Sequence, residues 1–345
     1  MRAVPDAAAG RGGAAAGRGG AAAGRGGAAA WQSTAAAFRA AVESGRLDLP
    51  LPGSGGTRER WAGFAELAGE DLSVARLAEG HADAVAILAE LDSQSPPPGS
   101  RWGVWAAHPP GPKLEAHRAG NRWRLRGTKR YCSGARTCTH ALVTAAAPDG
   151  MQLFAVETGA LTPVPGSWPA TGMAGSDTLD VDFGDVPAQP VGVPGAYIER
   201  PGFAHGGVGV AACWYGGARA VGRTLLAAAQ RRDVGPHALA HLGAVDIALR
   251  TVRTALDGAA DEIDADPADL KGAGPVRALR VRALADAVAA EVMDRVGRAL
   301  GAGPLCLDEV HSRRVADLTV YIRQHHAERS LAELGGVVAE QGTQW

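Results

Sequence analysis

The chain has 345 residues, 46% of them hydrophobic, with 35 Lys+Arg against 36 Asp+Glu and a formal net charge of -1. That balance excludes a general nucleic-acid binder, which carries a basic excess. The spacing of Cys132, Cys138, Cys213 and Cys306 excludes a disulfide scaffold and a zinc pattern. No apolar run reaches the ~18 residues of a membrane span, so a cytoplasmic protein with no membrane partner is expected.

From Ala7 the chain reads AAAGRGG three times and closes with Ala28-Ala29-Ala30 before Trp31. A coiled coil needs large apolar side chains at its seam, and this repeat offers only Ala and Gly. Each Gly costs about 1 kcal/mol in a helix, so residues 1–30 are expected to be a disordered tail.

The next block, residues 31–97, reads as a helical domain. Thr34 to Ser44 is Ala-rich, and Gly45 stops it. Thr57 is placed to cap a helix through Gly69 that carries Trp61, Phe64 and Leu67 at helical spacing. Asp71 is placed to cap a following helix with a broad apolar face. Residues 98–194 then change period to two. Gly120-Asn121 is a hairpin turn signal. Strands are expected at Trp123 to Gly127, Ala141 to Ala146, Gln152 to Val156 and Thr178 to Phe183. Residues 202–335 return to helical period, with helices expected at Val208–Gln230, Pro236–Ile263, Pro275–Leu300 and Leu307–Leu334. The fold class is therefore α+β: an N-terminal helical domain, a central antiparallel β-barrel and a C-terminal four-helix bundle.

Four motifs lie in order along these blocks. They are Gly127-Thr128-Lys129-Arg130-Tyr131-Cys132-Ser133-Gly134-Ala135, then Trp168 with Gly172-Met173 and Val181-Asp182-Phe183-Gly184-Asp185-Val186, then Arg231-Arg232-Asp233-Val234-Gly235, then Gly301-Ala302-Gly303 followed by Arg313-Arg314-Val315-Ala316-Asp317. Together with the block order they resemble the acyl-CoA dehydrogenase superfamily. The resemblance implies FAD between barrel and bundle, a homodimer or homotetramer, an acyl substrate such as a CoA thioester, and an electron acceptor or reductase protein as partner. It also implies that Tyr131 lies against the flavin ring and that Ser133 donates toward its edge. Trp105 to Ala107 would lie along the pyrimidine side. Arg231 would meet the pyrophosphate of a neighbouring subunit.

The departures concern the chemistry. The dehydrogenases of this family use a Glu as base; counted from Asp317, its usual position is His325, with Glu328 the nearest acid. The alternative position, early in the first bundle helix, reads Gly206-Gly207-Val208-Gly209 without an acid. A threonine at the flavin edge has become Ala107. If one helix runs through, Glu328 shares a face with His325 and orients it; of His325 and His326, ~100° apart on a helix, only one points inward. The first reading is an FAD-dependent oxidoreductase of acyl-CoA dehydrogenase type with His325 as a non-standard catalytic residue. The alternatives are a flavin-dependent monooxygenase of the same fold, in which a histidine serves proton transfer near neutral pH, and a catalytically silent homologue acting as a binding or scaffold subunit. No metal site is expected.

Overall fold

The computed structural model describes residues 20–91, 95–111 and 113–342. The first nineteen residues of the expected disordered tail lie outside the described residues. The remainder of that tail is a correction: helix α1 runs Gly20–Glu43 and takes in the last repeat. Starting a helix is the costly step and extending it is not, so a helix anchored by Phe38 can propagate back through alanines despite their glycines. Thr34, Ala35, Phe38 and Ala41 form its buried stripe. Gly45, at φ +71, ends it: the Gly45 N–H returns to Val42 O and the Arg46 N–H to Ala41 O, the paired bonds of a Schellman stop.

Helices α2 (Thr57–Glu70) and α3 (Leu72–Leu91) complete the N-terminal region. Asp71 caps α3 as expected, accepting from the Ser73 and Val74 amides at 2.8 and 3.0 Å. Thr57 does not cap α2; Gly56 holds that place. The exposed amides at this helix start are instead met by Asp264, which accepts from the Gly55 and Thr57 N–H groups at 3.1 Å and from the Thr57 hydroxyl at 2.5 Å.

The β-domain contains β1 (Trp102–Trp105), β2 (Glu115–Ala119), β3 (Arg122–Cys132), β4 (His140–Ala147), β5 (Gly150–Glu157), β6 (Thr162–Val164) and β7 (Leu179–Val191). Strands β4, β2, β3, β7 and β5 pair in that order, and β5 pairs back to β4, so the sheet closes into a barrel. Gly120-Asn121 forms the tight β2–β3 turn, with Ala119 opposite Arg122. The expected all-antiparallel order is corrected at one place. β1 and β2 both run parallel to β4, because residues 133–139 carry the chain back across the barrel end before β4 begins. Trp123, Leu125, Phe154, Val181 and Phe183 fill the interior. The pairing of β3 with β7 is irregular between Lys129 and Cys132. Tyr131 sits in that irregularity at φ +60, a left-handed conformation that turns its ring outward.

After the short α4 (Ala196–Glu199) come α5 (Pro201–Arg231), α6 (Gly235–Ala265) and α7 (Gly274–Leu300). α5 is the central helix, and its glycines set how closely others approach. A Cβ on Gly216 would lie 2.2 Å from Ala65 O of α2, and one on Gly217 would lie 2.8 Å from the Leu72 side chain of α3.

The fourth bundle helix, expected as one rod, is broken. It consists of α8 (Gly303–Leu307), α9 (Glu309–Tyr321), a 3-10 turn at Ile322–Gln324 and α10 (Ala327–Gln341). His325 at the break is extended, at φ -78 and ψ 132. The Gln324 carbonyl, which a continuing helix would use, is taken by the Arg282 guanidinium. Among the described residues no helix is long and apolar enough to cross a membrane.

Candidate active site

Two groups of side chains stand out, one on the β-domain and one on the helices. The first is built on the end of β3. Trp105 is buried at the end of β1 and donates its indole N–H to Ser133 O at 2.9 Å. Ser133 is buried, and its hydroxyl lies 2.9 Å from Thr178 Oγ1. Thr178 lies 2.8 Å from Ser176 Oγ, and Ser176 donates to Met173 O at 2.7 Å. Each hydroxyl has one proton. Ser176 gives its proton to Met173, so Thr178 must donate to Ser176, and Ser133 must donate to Thr178. In this proton order Ser133 Oγ is left as an acceptor.

Tyr131 is 42% exposed, a large aromatic ring open to solvent. Trp168 meets it edge-on at 6.4 Å between ring centroids, and the Arg130 guanidinium lies 5.0 Å over it. Ala107 is exposed beyond the end of β1. Arg231 is exposed at the C-terminal end of α5. The structure thus brings Trp105, Tyr131 and Ser133 together, and leaves Ala107 and Arg231 outside that cluster.

The loop between β6 and β7 joins this cluster to the bundle. A Cβ on Gly172 would fall 2.3 Å from Ala316 O of α9, so only glycine permits this contact. The Met173 N–H donates to Asp317 Oδ1 at 2.5 Å. Burial raises the Asp317 carboxyl to about 6 despite that bond.

The second group lies where α3, α5, α7 and the end of α9 meet. His325 is 5% exposed, and its Nε2 has no hydrogen-bond partner. Its ring meets Trp214 edge-on at 6.4 Å, and Tyr321 meets Trp214 edge-on at 6.2 Å. Burial, and then the charge of Arg282, lowers the proton affinity of His325. Arg282 lies 4.8 Å from the Trp214 ring and donates to Gly207 O at 2.8 Å. His326 is exposed, so one histidine of the pair points inward as expected. Glu328 is corrected: it is exposed in the first turn of α10, beyond the break, and does not share a helix face with His325.

The acids of this region come from α3 instead. Asp83 Oδ2 lies 2.8 Å from where a Cβ on Gly206 would stand, so a carboxylate does reach the acid-free start of α5. Arg60, 2% exposed, pairs with Asp83 at 3.3 Å. Glu79 is buried and pairs with Arg76 at 2.6 Å; burial raises its carboxyl to about 7. The sequence reading missed Arg60, Arg76, Glu79, Asp83, Tyr321 and Arg282. A signal was present: Glu79 stands next to Ala78 and near Ala82, on a helix face otherwise made of apolar residues. Among the described residues no group of three or more His, Cys, Asp or Glu could hold a metal ion.

A flavin ring needs an apolar face beside polar groups for its edge. The exposed Tyr131 ring with Trp168 supplies the face, and Ser133 supplies a buried oxygen next to it. These residues fit the ring.

No family model matches this sequence, and no curated protein sequence matches it. Solved structures do match in shape. TdsC from Paenibacillus sp. A11-2, solved with FMN and indole, superposes at a TM-score of 0.73 with 16% identity, covering 93% of this chain and 98% of that one; the same protein is described as a dibenzothiophene monooxygenase. Methanesulfinate monooxygenase MsuC from Pseudomonas fluorescens gives 0.72 with 18% identity, covering 92% and 97%. A steroid ACAD variant gives 0.70 with 21% identity, covering 90% of each chain. The chain therefore has the fold of the acyl-CoA dehydrogenase-type flavoproteins.

Proposed function

We propose that this chain is a flavin-dependent monooxygenase that receives reduced flavin from a separate reductase and oxygenates a small molecule. One observation carries this reading: the group at the expected base position is an imidazole with a free nitrogen, and the neighbouring carboxylates are neutralised. Asp83 is held by Arg60 and Glu79 by Arg76. Removing an α-proton in a dehydrogenase calls for an unpaired base against the substrate. His325 offers Nε2 instead, on a ring kept neutral by burial and by Arg282. As a neutral imidazole it can take up one proton and give it back readily.

Bound flavin would supply the two-electron and oxygen chemistry, and the chain's own residues prepare its surroundings. Tyr131 and Trp168 offer the ring its apolar face. Ser133 Oγ, its own proton committed to Thr178, accepts a hydrogen bond. A reduced flavin carries a ring N–H where the oxidised form has a bare nitrogen, so an accepting Ser133 suits the reduced form. These contacts are common to FMN and FAD. The bound phosphates would meet Arg231 from a second copy of the chain, which makes a homodimer part of the proposal. The monooxygenases TdsC and MsuC among the matching structures support the reading.

The test is spectroscopic and then kinetic. Purified protein should bind reduced flavin more tightly than oxidised flavin. It should add oxygen to substrate only when a flavin reductase is present. His325→Gln should keep flavin binding and lower the oxygenated-product yield at least tenfold. Anaerobic bleaching of bound flavin by acyl thioesters would establish the dehydrogenase reading in its place. A protein that binds neither flavin form would sink both.

A further inference from the structure

The helices around His325 hold more unsatisfied polar atoms than its own Nε2. Trp214 Nε1 and Arg76 Nε also lack any hydrogen-bond partner, while the Tyr321 hydroxyl faces the buried Cys213 thiol. Trp214 and Tyr321 are 0% and 1% exposed, so water outside the fold does not reach them. A buried polar group left unpaired costs about 1–3 kcal/mol. Trp214 and His325 carry two such atoms, and the Tyr321 and His325 rings each meet the Trp214 ring edge-on.

Their chemistry selects a ligand. An indole N–H and an Arg Nε–H only donate, and a phenol and a neutral imidazole can each donate one proton. The missing partner must therefore be rich in acceptors. Charge selects further. Three guanidinium groups, Arg60, Arg76 and Arg282, stand here against the two carboxylates of Glu79 and Asp83. Arg282 feels the charges of Glu79, Tyr321 and Asp286. Asp286 itself is bonded to Arg323 at 3.1 Å, and the hydrogen bonds of Arg282 go to the Gly207 and Gln324 carbonyls. The cluster is left with one cation in excess.

We propose that Trp214, Tyr321, His325, Arg76 and Arg282 form a recognition site for the oxyanionic head of a small organic acid, a carboxylate or a sulfinate, and that this acid is the substrate. The assignment as substrate rests on the monooxygenase reading; the site itself does not. The donors meet the acid's oxygens, Arg282 supplies the balancing charge, and the body of the acid extends from this head toward the Tyr131 ring. Trp214 and Tyr321 act as binding residues, while Glu79 and Asp83 keep the arginines in place.

Titration calorimetry on the full-length, flavin-free protein tests this, with benzoate and methanesulfinate as acids and benzamide and dimethyl sulfone as uncharged counterparts. The acids should bind, and the uncharged compounds should bind at least tenfold more weakly. Tyr321→Phe removes one donor and keeps the ring, so it should weaken acid binding about tenfold while the fold is retained. Trp214→Phe should weaken it similarly. Equal binding of acids and uncharged compounds, or unchanged acid affinity in both variants, overturns the site. Flavin binding with no acid binding also overturns it and leaves the monooxygenase reading standing. Acid binding in a protein that binds no flavin keeps the site and removes its role in catalysis.

Discussion

On the barrel side, Ser133, Thr178 and Ser176 pass a line of protons to the Met173 carbonyl, and every hydroxyl in that line is bonded. On the helical side, Trp214 and His325 are equally buried, yet Trp214 Nε1 and His325 Nε2 meet nothing. The same fold treats buried polar groups in opposite ways at positions joined by a single loop, Gly172 to Asp177. A satisfied network holds one arrangement and specifies it. Unsatisfied donors lower stability, and they make sense where a ligand completes them. The barrel side is thus fixed in one arrangement, and the helical side keeps buried polar atoms open.

Breaking an arginine's partner on the helical side gives the largest expected effect. Glu79→Ala leaves Arg76 without its buried carboxylate and should cost about 3–5 kcal/mol, read as a lower urea midpoint. A loss under about 1 kcal/mol would mean that water already screens this seam.

The loop between the two sides should show a pH effect of roughly 1–3 kcal/mol. Asp317 titrates at about 6 in the fold against an ordinary value of 3.8. Its folded form therefore binds a proton more readily than its unfolded form. The contribution is fully present below pH 3.8 and is lost as pH rises through about 6. Asp317→Asn keeps an acceptor for the Met173 N–H and should flatten this part of the stability profile. Melting temperatures at pH 4.5 and 7 compare the two proteins, and an identical slope in both would remove Asp317 from the account.

The smallest expected effect sharpens the barrel side. Ser176→Ala deletes one hydrogen bond and should cost about 1 kcal/mol. It also frees Thr178 to donate back to Ser133, which releases the Ser133 proton. The variant should lose its preference for reduced flavin, measured as the ratio of the two dissociation constants. An unchanged ratio would show that proton order in this line does not reach the flavin.

Much of the architecture was legible before any coordinates. The 3.6-residue period placed the helices, the change to alternation after Gly120-Asn121 placed the hairpin, and Asp71 announced the start of α3. These are local signals, carried by neighbouring residues. That Trp105, Tyr131 and Ser133 are neighbours was also legible, because all but Trp105 lie on one continuous motif and their grouping follows from β3 itself. The errors share a cause. Asp264 meets the amides at the start of α2 from a helix about 200 residues away, and Arg282 binds the Gln324 carbonyl at the break in the fourth bundle helix. No window along the chain contains both partners of either bond.

Sequence by itself determined the order helices, barrel, bundle, and it placed a histidine where a carboxylate base was expected. Periodicity and turn chemistry are properties of short segments, so they survive without a fold. Tertiary structure decided which polar atoms are paired. It set Ser133 against Thr178 and Arg60 and Arg76 against Asp83 and Glu79, and it left Trp214 Nε1 and His325 Nε2 unpaired. Pairing depends on which distant groups burial brings within about 3 Å, and only the folded chain specifies that.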